Sequence, residues 1–243
     1  LCITENNEKW IGTSLSGMIY FDQNNNSQVL YDTRLRGIRD ITYDQNGNIW
    51  VAMDDAYNND GCLAKYDGNS WTYYTSNEYG SIYPKVTCVF ADNDNNIWFG
   101  LKPNISNYGY PSQTLGKFNQ TYFQFYTTTE NHLPIYGIDD ITFDNNNIAW
   151  FDIIYDPSLE EGGYLYKFDG SNWTCYSAWN SGLNVTNVTG VSFDNNNIAW
   201  ITAYKMSTSY VIVSGAVYKF DGINWTEYTS NNSPLTTKHI TGI

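Results

Sequence analysis

The stretch that decides the fold is Asp169-Gly170-Ser171-Asn172-Trp173, a sequence of the form Asp-Gly-x-x-Trp. It recurs 52 residues later, from Asp221 to Trp225, and another copy begins 102 residues earlier, at Asp67. Because 102 is close to two periods of 52, a copy is expected midway, and the degenerate segment Asn119-Gln120-Thr121-Tyr122-Phe123 stands there. A fixed period of roughly 40–50 residues indicates one supersecondary unit repeated along the chain.

A second signature keeps the same period. It is a short apolar segment that follows an Asn-rich or Asn-Gly turn and is centred on a tryptophan. Five such tryptophans mark five repeats: Trp10, Trp50, Trp98, Trp150 and Trp200. We interpret the tryptophans of both signatures, such as Trp50 and Trp71, as packing between repeats.

Residues 37–85 show the unit in full. Four β-rich runs cover 38–43, 49–53, 62–66 and 71–75, and tight Asp/Asn/Gly turns separate the first from the second and the third from the fourth. Four short antiparallel strands in about 50 residues are typical of a propeller blade. The sequence therefore predicts an all-β fold, a five-bladed β-propeller.

We predict one propeller domain over residues 1–243. The expected blades are 1–36 plus 240–243, 37–85, 86–136, 137–187 and 188–239. Residues 240–243 resemble 188–191, the first strand of a repeat. We expect this C-terminal strand to join the N-terminal blade and close the ring, which removes exposed strand edges. The alternative is that residues 240–243 begin a sixth blade of a longer array.

Composition narrows the class of function. Of 243 residues, 17% are aromatic and 15% are charged, and the net charge is −13. A diffuse negative charge repels phosphates, so we expect no nucleic-acid partner. We also expect no direct insertion into a membrane, because no apolar run approaches about 18 residues.

Candidate ligand-binding residues fall on one predicted face of the propeller. Connections between strands alternate between faces, so one face carries the variable insertions at 54–61, 102–114, 154–163 and 204–214. Exposed aromatic rings suit sugars, and variable loops on a rigid scaffold commonly bind ligands. Our candidates are the insertion residues Tyr57, Tyr108, Tyr110, Tyr155 and Tyr204, and the first-strand residues Arg39, Asp40 and Asp140. The alternatives are tyrosines packed within their own loops and solvated strand ends.

Catalysis and metal binding have little support in the sequence. The Asn-rich turns lack the Glu that ends an EF-hand loop, and turn geometry already favours Asp, Asn and Gly there. We therefore expect no metal, no cofactor and no catalytic residue. The alternative is a propeller lyase or hydrolase that uses a histidine, His132 or His239, and a divalent cation.

The repeats resemble the two-component regulator propeller repeat. The resemblance is carried by the segments at 41–52, 90–101, 166–176 and 218–228. It implies an extracytoplasmic sensor domain (periplasmic, cell-surface or secreted) of the bacterial hybrid sensor kinase type, often linked to glycan sensing. We predict a non-catalytic, sensor-like module that binds a glycan or a partner protein. A structural interaction scaffold is a further alternative.

Overall fold

The computed structural model describes residues 1–13, 17–54, 62–75, 85–102, 113–127, 137–153, 164–207, 209, 211–238 and 240. The chain divides into two compact units, unit 1 (residues 1–138) and unit 2 (residues 139–243). The regular secondary structure of the described residues consists of β-strands alone. The strands form four-stranded sheets, each ordered as the chain runs.

Three sheets belong to unit 1. Sheet 1 contains β1 (Cys2–Ile3), β2 (Lys9–Gly12), β3 (Met18–Phe21) and β4 (Ser27–Leu30). Sheet 2 contains β5 (Ile38–Tyr43), β6 (Ile49–Met53), β7 (Cys62–Tyr66) and β8 (Trp71–Tyr74). Sheet 3 contains β9 (Lys85–Ala91), β10 (Ile97–Lys102), β11 (Gln113–Phe118) and β12 (Phe123–Thr127).

Two sheets belong to unit 2, apart from Ile138, the first residue of sheet 4. Sheet 4 contains β13 (Ile138–Phe143), β14 (Ala149–Ile153), β15 (Leu165–Phe168) and β16 (Trp173–Tyr176). Sheet 5 contains β17 (Asn187–Phe193), β18 (Ala199–Met206), β19 (Ile212–Phe220) and β20 (Trp225–Tyr228). These sheets of four short antiparallel strands confirm the predicted five-bladed β-propeller fold.

One aspartate organises the turn between the first and second strands of a blade. In sheet 2, Asp44 Oδ1 accepts hydrogen bonds from the backbone N–H groups of Asn46 (2.9 Å) and Asn48 (3.0 Å). Its Oδ2 accepts one from Trp50 Nε1 (2.9 Å), so the turn is tied to the core. The same pattern recurs at Asp92, Asp144 and Asp194. Backbone geometry therefore explains the Asp- and Asn-rich turns.

Sheet 1 departs from this pattern because Thr4 stands where the other blades have the aspartate. Thr4 Oγ1 accepts a hydrogen bond from the backbone N–H of Glu8 (3.2 Å). It does not serve the indole, and Trp10 Nε1 is buried with no hydrogen-bond partner among the described residues. A buried N–H without a partner is a local weakness of this blade.

The second-strand tryptophans form the aromatic core of the blades. Trp50 is fully buried and stacks on Tyr74 of the fourth strand, with ring centroids 5.8 Å apart and planes 16° apart. The ammonium group of Lys65 lies 5.4 Å from the Trp50 ring centroid. The tryptophans of the Asp-Gly-x-x-Trp signature are only half-buried, and Trp71 packs at the margin of the core shared by sheets 1 and 2. The two signatures thus differ in depth.

The first blade uses its own first strand. All four strands of sheet 1 come from residues 2–30, and β1 is only two residues long. Residues 241–243 lie outside the described residues, so the predicted closure by the C-terminal strand stays a prediction. Ile240 is described, and its carbonyl accepts a hydrogen bond from Thr189 Oγ1 (2.8 Å) in unit 2.

The prediction of an inserted loop at 204–214 is wrong. β18 continues to Met206 and β19 begins at Ile212, so most of this segment is a longer hairpin. The physical reason lies in its composition, since Tyr, Thr, Val and Ile favour strands and allow the pairing to continue. Tyr204 is therefore a strand residue, paired with Asn187 of β17 and Gly215 of β19.

Candidate binding site

The two ends of a blade differ in chemistry. We call the end where the first strand begins and the second strand finishes the loop end, and the opposite end the turn end. In the described residues, the loop ends hold Arg39, Asp40, Asp54 and Lys85 in unit 1, and Asp139, Asp140, Asp152 and Tyr204 in unit 2. Within each unit, these polar side chains are the candidates for ligand binding.

Arg39 belongs to an ion-pair network at the loop end of unit 1. Its guanidinium donates to Asp54 Oδ2 at 2.7 Å, and Lys85 Nζ lies 2.7 Å from Asp54 Oδ1. Burial raises the pKa of Asp54, but the hydrogen bonds from Lys85 and Arg39 outweigh it and hold that pKa below its usual value. Asp54 is mostly enclosed, whereas the Arg39 side chain is exposed, so Arg39 can contact a ligand.

Asp40 connects two blades of unit 1. Its Oδ1 accepts the backbone N–H of Ile41 (2.8 Å), and its Oδ2 accepts the backbone N–H of Val89 on β9 (2.9 Å). Burial raises the pKa of Asp40, although these two hydrogen bonds favour the charged form. Both oxygens have backbone donors, so the position of Asp40 fits an interblade contact better than a free ligand-binding group.

Asp139, Asp140 and Asp152 meet at the loop end of unit 2. Asp139 and Asp140 are exposed on β13, and Asp140 Oδ1 accepts the backbone N–H of Ile141 (2.8 Å). Asp152 on β14 is only 3% exposed, and its Oδ1 has no hydrogen-bond partner among the described residues. Burial, with the charges of Asp140 and Asp139, raises the pKa of Asp152 well above its usual value.

Tyr204 lies near the same acidic group. Its side chain is half-buried on β18, and burial raises its pKa, with a hydrogen bond from Asn187 opposing the shift and the charge of Asp139 adding to it. Asp139 therefore acts on both Tyr204 and Asp152. The structure does not bring the predicted residues Asp140 and Tyr204 into one group, because Ile201 and Ala203 of β18 pack with Trp150 of sheet 4 and Tyr204 points to the other side of the strand. Asp140 instead acts on Asp152, which the sequence analysis missed. The sequence does carry a signal for Asp152: two residues after the second-strand tryptophan it has an acidic residue, where the other repeats have Gly, Ala or Thr.

Several predicted residues lie outside the described residues: Tyr57, Tyr108, Tyr110, Tyr155, His132 and His239. Their roles stay predictions. Among the described residues, no group of three or more His, Cys, Asp or Glu side chains is placed to hold a metal ion.

A cavity of about 560 Å³ lies at the turn end of unit 1, where the sequence predicted only tight turns. Its walls include the first turn of sheet 1 and the first-strand ends of sheets 2 and 3. Asp44 and Asp92 line it, but their carboxylates serve their own turns and indoles. This cavity is therefore built largely from groups that the fold already uses.

The repeated four-stranded sheets define the chain as a β-propeller. Hydrogen-bonded aspartates hold its turn ends, and the candidate site lies at its loop ends, where the side chains differ between blades. Comparison with solved structures agrees on the fold. The extracellular domain of BT4673 from B. thetaiotaomicron, described as a hybrid two-component system, matches with a TM-score of 0.67 and 13% identity, covering 99% of this chain and 29% of that one. The chain thus spans less than a third of the length of that relative.

Two further structures have the same fold with other roles. XC5397 from Xanthomonas campestris, described as a gluconolactonase, matches with a TM-score of 0.63 and 9% identity over 94% of this chain and 74% of that one. YCF48 bound to a D1 peptide matches with a TM-score of 0.58 and 14% identity over 93% and 65%. No family profile and no curated protein sequence matches the chain. Identities this low establish the fold, and fold alone does not assign function.

The described part of the chain holds no helix with the length and apolar character needed to cross a membrane.

Proposed function

We propose that the chain is a non-catalytic, sensor-like propeller module that works outside the cytoplasm and binds a glycan or a partner protein at its loop ends. One observation carries the proposal. Sheets 2 to 5 keep the same aspartate at their turn ends, whereas their loop ends carry different side chains.

The contrast can be read position by position. Asp44, Asp92, Asp144 and Asp194 are the constant turn residues. Five residues before each of them, the first strand carries a different set: Arg39, Thr87, Asp139 and Thr189. The turn aspartates are fixed by backbone hydrogen bonds. Thr87 and Thr189 are half-buried and donate to backbone carbonyls, whereas Arg39 and Asp139 are exposed polar residues on a shared scaffold and can recognise a ligand.

The comparisons support the sensor-like reading. BT4673 contributes an extracellular domain that is described as part of a hybrid two-component system, and its fold is shared over nearly this whole chain. This agrees with the resemblance of the repeats to two-component regulator propellers. An extracytoplasmic location and a sensing role follow from that resemblance and are part of the proposal.

A glycan array, run with and without calcium, tests the ligand class. Arg39→Ala and Asp139→Ala alter one loop end in each unit, and Gln23→Ala alters an exposed turn-end residue as the control. We expect at least a tenfold loss of affinity in one loop-end variant and none in the control. Equal binding by all three variants would place the ligand elsewhere. A wild-type protein that binds no glycan would reject the glycan and leave a partner protein, to be sought by crosslinking at the loop ends.

A further inference from the structure

The degenerate segment 119–123 changes two side chains that hold the corresponding turn together in other blades. In sheets 2, 4 and 5, Oδ2 of the signature aspartate accepts a hydrogen bond from the side chain three residues later. The pairs are Asp67–Ser70 (3.3 Å), Asp169–Asn172 (3.2 Å) and Asp221–Asn224 (3.2 Å). Sheet 3 has Asn119 and Tyr122 at these two positions, so it has no second carboxylate oxygen to accept such a bond.

A small cavity lies beside this altered turn, at the turn end of sheet 3. Its volume is about 110 Å³, and it is lined by Asn96, Lys117, Asn119, Tyr122 and Gln124. The lining consists of one cationic and four neutral polar side chains, with no carboxylate among them. Tyr122 and Gln124 are exposed, so a small molecule in solution can reach the cavity.

Two of the lining residues have donors that the fold does not use. Asn119 Oδ1 accepts the backbone N–H groups of Thr121 (3.1 Å) and Tyr122 (2.9 Å), which leaves the Nδ2 amide as a donor without an acceptor among the described residues. Lys117 Nζ lies 4.7 Å from the Trp98 ring centroid. In the described part of the chain, no carboxylate lies within ion-pair distance of this ammonium group.

Lys117 lacks a negative partner that the equivalent lysines have. These lysines stand two residues before the signature aspartate of sheets 2, 4 and 5, and they are Lys65, Lys167 and Lys219. Hydrogen bonds of the turn lower the pKa of Asp169, and the charge of Lys167 lowers it further. The same causes act on Asp221, through Lys219. Asn119 carries no charge, so the lysine of sheet 3 is left without this attraction.

The carboxylate of the adjoining turn does not take over this role. Asp92 is buried, and its Oδ1 accepts the backbone N–H of Asn96 (2.8 Å) while its Oδ2 accepts Trp98 Nε1 (2.8 Å). Both oxygens of Asp92 are therefore engaged in holding their own turn and indole. The donors around the cavity stay available to a ligand.

Gln120 fixes the wall of the cavity. The other copies have a glycine there, with φ between 93° and 95°, whereas Gln120 takes a φ of 71°, in a region that side chains rarely adopt. Its side-chain amide donates to the carbonyl of Asn95 (2.9 Å), which joins the two turns at this end of sheet 3. A glycine could not form this hydrogen bond, so the substitution holds the altered turn in place.

We propose that this cavity binds the carboxylate group of a small organic acid. A carboxylate has two acceptor oxygens, so it can accept hydrogen bonds from both Lys117 Nζ and Asn119 Nδ2. The cavity is several times larger than the roughly 30 Å³ that one water occupies in the liquid, which leaves room for such a group. The bound anion would supply the negative charge that an aspartate supplies in the other blades. The site lies at a turn end and is separate from the loop-end site of the proposed function.

The test titrates the full chain with sodium acetate and with acetamide, its neutral counterpart of similar shape, at constant ionic strength. Side-chain amide signals in NMR spectra report binding. We expect acetate to bind at least about tenfold more tightly than acetamide. Asn119→Asp should lose that preference, because it gives Lys117 the carboxylate found in the other blades. Lys117→Gln should lose it as well, whereas Lys65→Gln, the matched control in sheet 2, should keep it.

Equal binding of the two probes, or no saturable response to acetate, would overturn the inference. An acetate affinity that is unchanged in both Asn119→Asp and Lys117→Gln would also overturn it. A denaturant titration of each variant separates loss of the site from loss of the fold. Asn119→Asp should stay as stable as the wild type, since an aspartate accepts the same two backbone N–H groups in the other blades.

Discussion

Replacing Asp44 with alanine should destabilise unit 1 far more than a turn mutation ordinarily does. Asp44 is 1% exposed and Trp50 is fully buried, and the Oδ2–Nε1 hydrogen bond between them is 2.9 Å long. The same carboxylate also accepts the backbone N–H groups of Asn46 and Asn48 and the side-chain amide of Asn48. Alanine leaves all of these donors without their acceptor.

The magnitude follows from where each donor is left. The indole N–H stays in the core without a partner, which costs about 1–3 kcal/mol. The turn N–H groups can reach water, so their loss resembles removal of a helix cap, at about 1 kcal/mol. The sum is about 3 kcal/mol for Asp44→Ala. Asp44→Asn should fall between this variant and the wild type, because an amide keeps one acceptor but turns a donor toward either the turn or the indole.

Asp67→Ala is the matched control in the same blade. Asp67 Oδ1 accepts two backbone N–H groups, from Asn69 and Ser70, both at 2.8 Å. Asp67 is exposed and accepts no hydrogen bond from a buried indole. Asp67→Ala should therefore lower the free energy of unfolding by less than half as much as Asp44→Ala.

Guanidinium chloride unfolding, with the slope against denaturant compared between variants, measures the difference. Similar losses for Asp44→Ala and Asp67→Ala would show that the indole hydrogen bond contributes nothing. The burial of the indole N–H would then not determine how much stability is lost when the turn aspartate is replaced.

Three further outcomes are expected. Thr4→Asp should stabilise the protein by about 1 kcal/mol in the same titration, because it offers Trp10 Nε1 the acceptor that it lacks, and no gain would contradict that reasoning. Asp152→Ala should remove one component of the pH dependence: the contribution of Asp152 to stability is fully present below the unfolded pKa near 3.8 and is lost as the pH rises toward the raised folded pKa, so the variant should gain stability relative to the wild type at neutral pH, and an unchanged difference between the two at acidic and neutral pH would contradict this. Gly116→Ala should lower stability by about 1–3 kcal/mol, since its Cβ would lie 2.1 Å from Phe99 Cζ, and an unchanged unfolding midpoint would refute the close contact.

Local chemistry explains what the sequence could predict. The Trp50 strand and the Asp44 turn are adjacent in the chain, and their hydrogen bonds join residues two to six positions apart. A repeated local pattern is visible in one sequence, so the blades and most strand positions were predictable. Strand ends were predicted less well where the length of a strand depends on its pairing with a neighbour, as for β18, which extends to Met206.

Contacts between distant residues were not predictable in this way. Asp40 looked like a free strand-end charge, but its partner is the backbone of Val89, 49 residues away. Asp152 carries no motif, and its importance comes from burial and from Asp140 on the adjacent strand. A single sequence shows neither burial nor which strand end faces a neighbour, and the candidate site depends on both.

The stacked tryptophans have a consequence for the spectroscopy of this protein. Trp50, Trp98 and Trp150 each lie within 6 Å of a nearly parallel tyrosine ring. Rings held this closely in a fixed orientation couple their electronic transitions, which adds aromatic bands to the far-ultraviolet circular dichroism. A β-sheet content read directly from that spectrum would be distorted. The same bands would vanish when the stacks separate, which gives an optical signal specific to blade packing and distinct from the loss of strands.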